Sequence, residues 1–267
     1  MGNFTLGRYL PLDSPIHKLD PRAKIMAMLF TLVAIFIPAG WIGYGIIFVV
    51  VSIVIIRAKL SFRFIWKSMK PMLIMMIFLL IMNILVLRSG DVLVSIFGFD
   101  IYTQAILQTL YIVVRLLLMV MITTCLTATT KPLDMTLGIE DLLKPFEKIH
   151  VPAHEIAMLI SIALRFIPDL IDETTRIMKA QESRGVDLKE GKIKERIMAI
   201  LSLIVPLFVS AFQRAEDLAN AMEARGYAPG EPRTRYKVLK MTGKDWFFVG
   251  CSILLLIGMI VLMRFKV

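Results

Sequence analysis

Two stretches of the sequence end with the same charged pattern. One closes with Glu182-Ser183-Arg184-Gly185, and the other, 41 residues later, closes with Glu223-Ala224-Arg225-Gly226. In each stretch a glutamate stands two residues before an arginine, and a glycine directly follows the arginine. A guanidinium group can hold a carboxylate through two parallel hydrogen bonds, which gives a directional contact that a lysine does not reproduce. The pattern therefore predicts two arginine tips that bind partner proteins.

A plainer explanation is that these are two ordinary helix ends. An arginine in the last turn interacts favourably with the helix dipole, and a glycine is a common stop signal. One such end would need no other explanation. The repetition of the pattern, each copy preceded by a proline at Pro168 or Pro206, favours the binding role.

Other possible chemical sites are weaker. The segment from Gly185 to Ile193 resembles a P-loop, but its spacing is one residue too long and Ile193 replaces the required Ser or Thr. His150 and His154 are four residues apart, but Met158 stands where a zinc-binding H-E-x-x-H motif needs its second histidine. We therefore expect no catalytic residue, no bound cofactor and no metal site in this chain.

The composition indicates that the elements which position the tips belong to a membrane protein. The chain is 57% hydrophobic, whereas soluble domains average about 45–50% apolar residues, so lipid is expected to cover the excess. The net charge is +10, but residues 129–245 hold 18 Lys and Arg against 17 Asp and Glu. The excess lies beside apolar runs, which is the pattern that sets membrane orientation rather than one that binds nucleic acid. We expect a lipid bilayer and no nucleic acid as partners.

Apolar stretches predict five transmembrane helices. They cover residues 21–37, 42–56, 71–87, 105–128 and 246–263. Asp20 and Pro21 suit the cap and the first position of the first helix. The predicted fold is an all-α polytopic membrane protein with about five transmembrane helices and a cytosolic helical domain.

The basic N-terminal segment predicts a cytosolic N-terminus. With this orientation, the five spans divide the chain into three parts. Residues 1–128 form a transmembrane domain of four spans, residues 129–245 a cytosolic coupling domain, and residues 246–267 a C-terminal transmembrane helix. Within the coupling domain, apolar residues at helical spacing predict two long helices over 153–184 and 193–225, after a short amphipathic helix over 133–149. The charge-free run 197–212 has the composition of a further span. A crossing there would separate the two arginine tips, so we interpret it as a buried or interfacial helix.

The paired ends resemble the Ala-Arg-Gly signatures of the transmembrane (T) component of energy-coupling factor (ECF) importers. Ala224-Arg225-Gly226 has the family's residues, and Ser183 replaces the family's alanine in the first copy. The opening from Asp13 to Arg22 resembles the family's N-terminal segment, and the threonine-rich stretch from Thr127 to Pro132 fits as well. The resemblance covers nearly the whole chain.

This resemblance implies a non-enzymatic subunit in a prokaryotic cell membrane. The T component of that family joins two ATP-binding cassette ATPase subunits, which bind ATP and Mg²⁺, to a small membrane-embedded substrate-capture (S) component. Arg184 and Arg225 would each dock on one ATPase, with Glu182, Ser183, Gly185, Glu223, Ala224 and Gly226 completing the two docking motifs. The imported vitamin or metal ion is not encoded here, because the capture component would bind it.

The alternatives are a stand-alone secondary transporter and a membrane-embedded enzyme. Either should place several ionisable groups at membrane depth. Arg115 is nearly the only such group in the predicted spans. We favour an anchor to a neighbouring helix over a translocation role for Arg115, and a structural role for His17. Without the family resemblance, a scaffold for another cytosolic complex also remains open.

Overall fold

The structure is a computed structural model that describes residues 9–86, 92–96, 99–145, 153–186, 193–228 and 239–265. The chain divides into two compact units. The first comprises Met1–Ala153 together with Leu239–Val267, and the second comprises His154–Val238.

The described residues form eight α-helices and one small hairpin, which confirms the predicted helical class. The helices are α1 (Pro21–Phe36), α2 (Gly40–Arg57), α3 (Phe62–Val86), α4 (Thr103–Thr129), α5 (Pro132–Leu143), α6 (Ala153–Ser183), α7 (Ile193–Ala224) and α8 (Gly243–Arg264). Between α3 and α4, in a stretch outside the predicted spans, β1 (Val92–Ile96) pairs antiparallel with β2 (Phe99–Tyr102). The β-branched residues of this connection favour strands.

One predicted boundary is wrong. Helix α3 begins at Phe62, nine residues before the predicted start, and continues through Pro71. The charged residues Arg63, Lys67 and Lys70 suggested a polar flank, but they lie on one exposed face of the same helix. Ile65, on another face of this helix, is buried. One helix can therefore carry charges on one face and apolar residues on another, and the basic stretch and the apolar stretch form a single helix.

Five of the described helices are long and apolar enough to cross a membrane: α2, α3, α4, α7 and α8. The number matches the prediction, but the set includes α7 and omits α1. Helix α1 has 16 residues, or about 24 Å at 1.5 Å per residue, which is less than the roughly 30 Å of a bilayer core. It nevertheless packs against the candidate spans α4 and α8. We infer that α1 lies at the same depth as these two helices.

The core of the first unit forms where α1, α2, α4 and α8 meet. Its buried side chains include Ile35, Tyr44, Leu118 and Met259. A Cβ atom at Gly43 would lie 2.8 Å from Cε of Met259. The end of the Met259 side chain can shift aside, but Cβ of Ala39 would also lie 2.8 Å away and cannot, so this position at the start of α2 favours glycine.

Polar residues inside the bundle join helices to one another. The Nε of Arg115 donates to the hydroxyl of Tyr44 at 2.8 Å, and its guanidinium lies 5.3 Å from the ring centre of Tyr111. The Nδ2 of Asn83 on α3 donates to Oγ1 of Thr109 on α4 at 2.9 Å. These contacts agree with the anchor role expected of Arg115.

The opening that resembles the ECF family has a structural role at the start of α1. Asp20 caps α1 by accepting from the backbone N–H of Arg22 at 2.9 Å. The Arg22 guanidinium pairs with Asp20 at 3.0 Å and with Asp141 of α5 at 3.4 Å. The buried Lys24 donates to the carbonyls of His17 and Thr129. This network ties α1 to the end of α4 and to α5.

Candidate partner-docking site

The two arginine tips follow the long helices of the second unit. Helix α6 runs Ala153–Ser183 and α7 runs Ile193–Ala224, within one residue of both predicted ranges. Each helix contains its proline, Pro168 or Pro206, without being interrupted. The arginine is the first residue after the helix in both cases.

The end of α6 is closed by backbone hydrogen bonds. The N–H of Val186 donates to the carbonyl of Gln181 at 3.0 Å, and the N–H of Gly185 donates to the carbonyl of Glu182 at 3.0 Å. Gly185 has a φ of 84°, a left-handed conformation that favours glycine. This pair of bonds is a Schellman motif with Arg184 at the C-cap position.

The end of α7 repeats this geometry. The N–H of Tyr227 donates to the carbonyl of Met222 at 3.0 Å, and the N–H of Gly226 donates to the carbonyl of Glu223 at 2.9 Å. Gly226 has a φ of 71°. The two arginines therefore leave their helices from equivalent backbone positions, and the sequence repeat is also a structural repeat.

All eight residues of the predicted docking motifs are exposed: Glu182, Ser183, Arg184, Gly185, Glu223, Ala224, Arg225 and Gly226. Neither arginine forms a salt bridge with another residue that the structure describes. Residues two positions apart do not face each other on a helix, so each glutamate points away from its neighbouring arginine. With respect to the residues that the structure describes, the cation and the carboxylate of each motif are open to a partner.

Two contacts show that α6 and α7 run antiparallel. The Nε2 of Gln181 donates to the carbonyl of Ser202 at 3.4 Å, and Nη1 of Arg214 lies 3.9 Å from Oδ2 of Asp169. The second contact lies twelve residues closer to the N-terminus of α6 than the first, and twelve residues closer to the C-terminus of α7. The arginine tips therefore lie at opposite ends of the helix pair, separated along its axis by on the order of 40 Å. They form two distinct surfaces rather than one shared site.

The second unit also exposes a long apolar stripe. Ile197, Leu201, Ile204, Phe208 and Phe212 follow helical spacing on α7, and each is more than 40% exposed. An exposed apolar surface of this extent marks a partner interface or a membrane-facing surface. The prediction that 197–212 is interfacial rather than spanning stays a prediction, although α7 is long enough to cross.

The residues that link α6 to α7 were not predicted from the sequence. Arg214 places its guanidinium 5.8 Å from the ring centre of Phe166, in addition to its contact with Asp169. The periodicity of each helix assigns these residues to faces but does not show which faces meet. The P-loop-like segment 187–192, His150 and residues 146–149 of the predicted amphipathic helix lie outside the described residues.

The chain is similar to known proteins over most of its length. The family described as cobalt transport protein, CbiQ, matches residues 13–236. The energy-coupling factor transporter transmembrane protein EcfT of Macrococcus caseolyticus is 45% identical over 241 residues, which cover 90% of this chain and 89% of the relative. Proteins with the same name are 42% identical over 245 residues in Bacillus subtilis, covering 92% of each chain, and 44% identical over 240 residues in Staphylococcus aureus, covering 90% of each chain.

These bacterial relatives and the five apolar helices identify a multi-pass protein of the cell membrane. The matched residues include both arginine tips and the α1 network. The chain belongs to the CbiQ/EcfT family of transmembrane components of energy-coupling factor transporters.

Proposed function

We propose that this chain couples two ATPase subunits to a substrate-capture subunit, with Arg184 docking on one ATPase and Arg225 on the other. The observation that carries the proposal is the pair of identical, exposed helix caps at opposite ends of one antiparallel helix pair. One partner protein could dock on a single such tip. Two equivalent tips suit two similar partners.

The arginine fork suits a joint that must transmit force. A bidentate contact with a carboxylate fixes orientation as well as distance. Each hydrogen bond to a charged group contributes about 1.5–3 kcal/mol, so two docked tips favour assembly strongly. The glycine after each arginine fixes the geometry of the cap, so the backbone position from which each arginine side chain starts is fixed as well.

Two long helices that are linked to each other suit such coupling. Helix α6 contains 31 residues and α7 contains 32, so each is on the order of 47 Å long. The contacts of Gln181 with Ser202 and of Arg214 with Asp169 join the two helices at separate points. Movement of one tip therefore displaces the other helix as well.

The apolar stripe on α7 fits the membrane-embedded capture subunit. A hydrophobic partner would cover the exposed Phe208 and Phe212 and receive the movement of the helix pair. In this proposal the vitamin or metal ion binds to the capture subunit, and ATP and Mg²⁺ bind to the ATPases. The chain itself performs no chemistry.

Co-purification of the ATPases tests the proposal. The Arg184→Ala, Arg225→Ala double variant should remain in the membrane but lose both ATPase subunits and substrate uptake. The matched control is Arg165→Ala with Arg176→Ala, because both arginines are exposed on α6 between the levels of the two tips. The control should retain both activities.

Equal recovery of the ATPases with the tip variant and with the control would contradict the proposal. A stand-alone transporter or a membrane-embedded enzyme would keep its activity in both variants, so the same experiment separates these alternatives.

A further inference from the structure

A cavity of ≈ 980 Å³ opens between α1, α2, α4 and α8 within the first unit. Its wall is mainly apolar and includes Ile46, Ile53 and Leu254, each more than 40% exposed. These side chains belong to helices that pack as membrane spans, so the cavity opens towards lipid. Its volume is at the upper end of the range for small-molecule sites.

One end of the cavity is positively charged. Helices α1 and α2 run in opposite directions because only residues 37–39 connect them, so Lys24 near the start of α1 and Arg57 at the end of α2 lie at the same end. Thr129, whose carbonyl accepts from Lys24, also lines this end. Among the described residues that line the cavity, Lys24 and Arg57 carry the only formal charges.

The sequence beyond Arg57 extends this positive charge. Residues 57–70 contain five Lys and Arg and no Asp or Glu, which places this end on the side predicted to be cytosolic. Basic pockets between transmembrane helices on that side bind anionic lipid headgroups. An apolar cavity with a cationic mouth fits a molecule that has an anionic head and an apolar tail.

Two glycines on α8 shape the cavity wall. Gly250 and Gly258 line it and lie eight residues apart on one helix face. A Cβ atom at either position would meet no other atom within 4 Å. The space beside these glycines is therefore open to an occupant, and larger side chains can fill it without displacing the neighbouring helices.

We propose that this cavity is a binding site for an anionic phospholipid of the inner leaflet. One acyl chain lies beside Gly250 and Gly258, and the phosphate contacts the guanidinium of Arg57. Lys24 contributes positive potential from beneath, since its ammonium group already donates to two carbonyls. This site does not depend on the docking role of Arg184 and Arg225.

Photolabelling of the full-length protein, purified with the subunits that accompany it, tests the proposal. The probe is phosphatidylglycerol with a photoreactive group in one acyl chain, in phosphatidylcholine vesicles, and the comparison probe is the same analogue of phosphatidylcholine. Peptides of α2 and α8 should be labelled about tenfold more by the anionic probe, which is the factor that one charge-assisted contact supplies. Labelling should fall about tenfold in Arg57→Gln and in the Gly250→Leu, Gly258→Leu double variant.

Matched controls lie outside the cavity. Arg63→Gln removes an exposed charge from the same basic stretch, and Gly45→Leu adds a side chain on α2 where a Cβ likewise meets nothing within 4 Å. Both should label as the unaltered protein does. Equal labelling by the two probes, unchanged labelling of the filled variant, or cross-links from this wall to a partner protein instead of lipid would each overturn the proposal. If the Gly250→Leu, Gly258→Leu double variant fails to fold, the comparison of Arg57→Gln with Arg63→Gln still tests the proposal.

Discussion

The backbone N–H of Asp20 donates to Oδ1 of Asp245 at 2.8 Å, although the two residues are 225 positions apart in the chain. Oδ2 of the same carboxylate accepts from the backbone N–H and the hydroxyl of Thr242. The buried side chain of Asp245 therefore completes the capping box at the start of α8 and also holds the start of α8 against the start of α1.

Replacement of this carboxylate should destabilise the first unit. Asp245→Asn leaves one acceptor oxygen, so either the bond from Asp20 or the bonds from Thr242 are lost. We expect a loss of about 1–3 kcal/mol in the free energy of unfolding, measured by thermal unfolding in mild detergent. The control is Asp13→Asn, which removes an exposed salt bridge to Lys18 and should leave the unfolding temperature unchanged. Equal stability of the two variants would argue against the tie between α1 and α8.

Variants of Arg115 distinguish an anchor from a translocation residue. Arg115→Lys keeps a charge at membrane depth but loses the planar contact with Tyr111, whereas Arg115→Met removes the charge. The Tyr44 hydroxyl still has the carbonyl of Ile35, at 3.4 Å, as an acceptor. We therefore expect Arg115→Lys to unfold at a lower temperature than Arg115→Met, with substrate uptake retained by Arg115→Met. Loss of uptake in a stable Arg115→Met protein would show a translocation role.

The left-handed glycines should control order at both tips. Gly185→Ala and Gly226→Ala each introduce a Cβ at a positive φ, which costs about 1–2 kcal/mol. Hydrogen exchange should become faster in the last turn of α6 or α7, and ATPase recovery should fall. Gly243→Ala is the control, because a Cβ there meets no atom within 4 Å and its φ is not positive. Unchanged exchange in the tip variants would mean that the caps do not order the arginines.

His17 should make stability depend on pH. Its Nε2 donates to the carbonyl of Leu10 at 3.0 Å, so in the neutral ring its Nδ1 accepts from the hydroxyl of Ser14 at 2.7 Å. Burial lowers the pKa of His17, and the charge of Lys24 lowers that pKa further. Below about pH 6.5 the unfolded chain binds a proton that the folded chain resists, so stability decreases as the pH falls through this range.

The measurement is thermal unfolding of the unaltered protein and of His17→Gln between about pH 7.5 and 5.5. The variant should lose part of the pH dependence. Identical pH profiles would exclude a contribution from His17.

Local patterns were sufficient to predict most helices and the two matching helix ends. The apolar spacing gave the limits of α6 and α7, and Asp20-Pro21 marked the start of α1. The start of α3 was not predictable by the same reasoning, because Pro71 and the charges before it resemble a boundary. The hairpin between α3 and α4 is too short to show a clear alternation.

Contacts between distant residues were not predictable from the single sequence. The Asp20–Asp245 bond and the Gln181–Ser202 bond join segments that no local pattern relates. The antiparallel arrangement of α6 and α7, and with it the separation of the two tips, follows only from such contacts. The repeat of Glu-x-Arg-Gly thus predicted two tips, and the structure shows that they lie far apart.

Photo-cross-linking from the residues that precede the two arginines tests whether both tips contact ATPase subunits. A photoreactive amino acid at Ser183 or Ala224, both exposed, replaces neither guanidinium and can be activated in intact membranes. We expect a cross-link from each position to an ATPase subunit, and none from the exposed positions Asp172 and Glu216. Cross-links from Ser183 and Ala224 only to lipid or to this chain itself, in cells that contain the assembled transporter, would contradict this expectation.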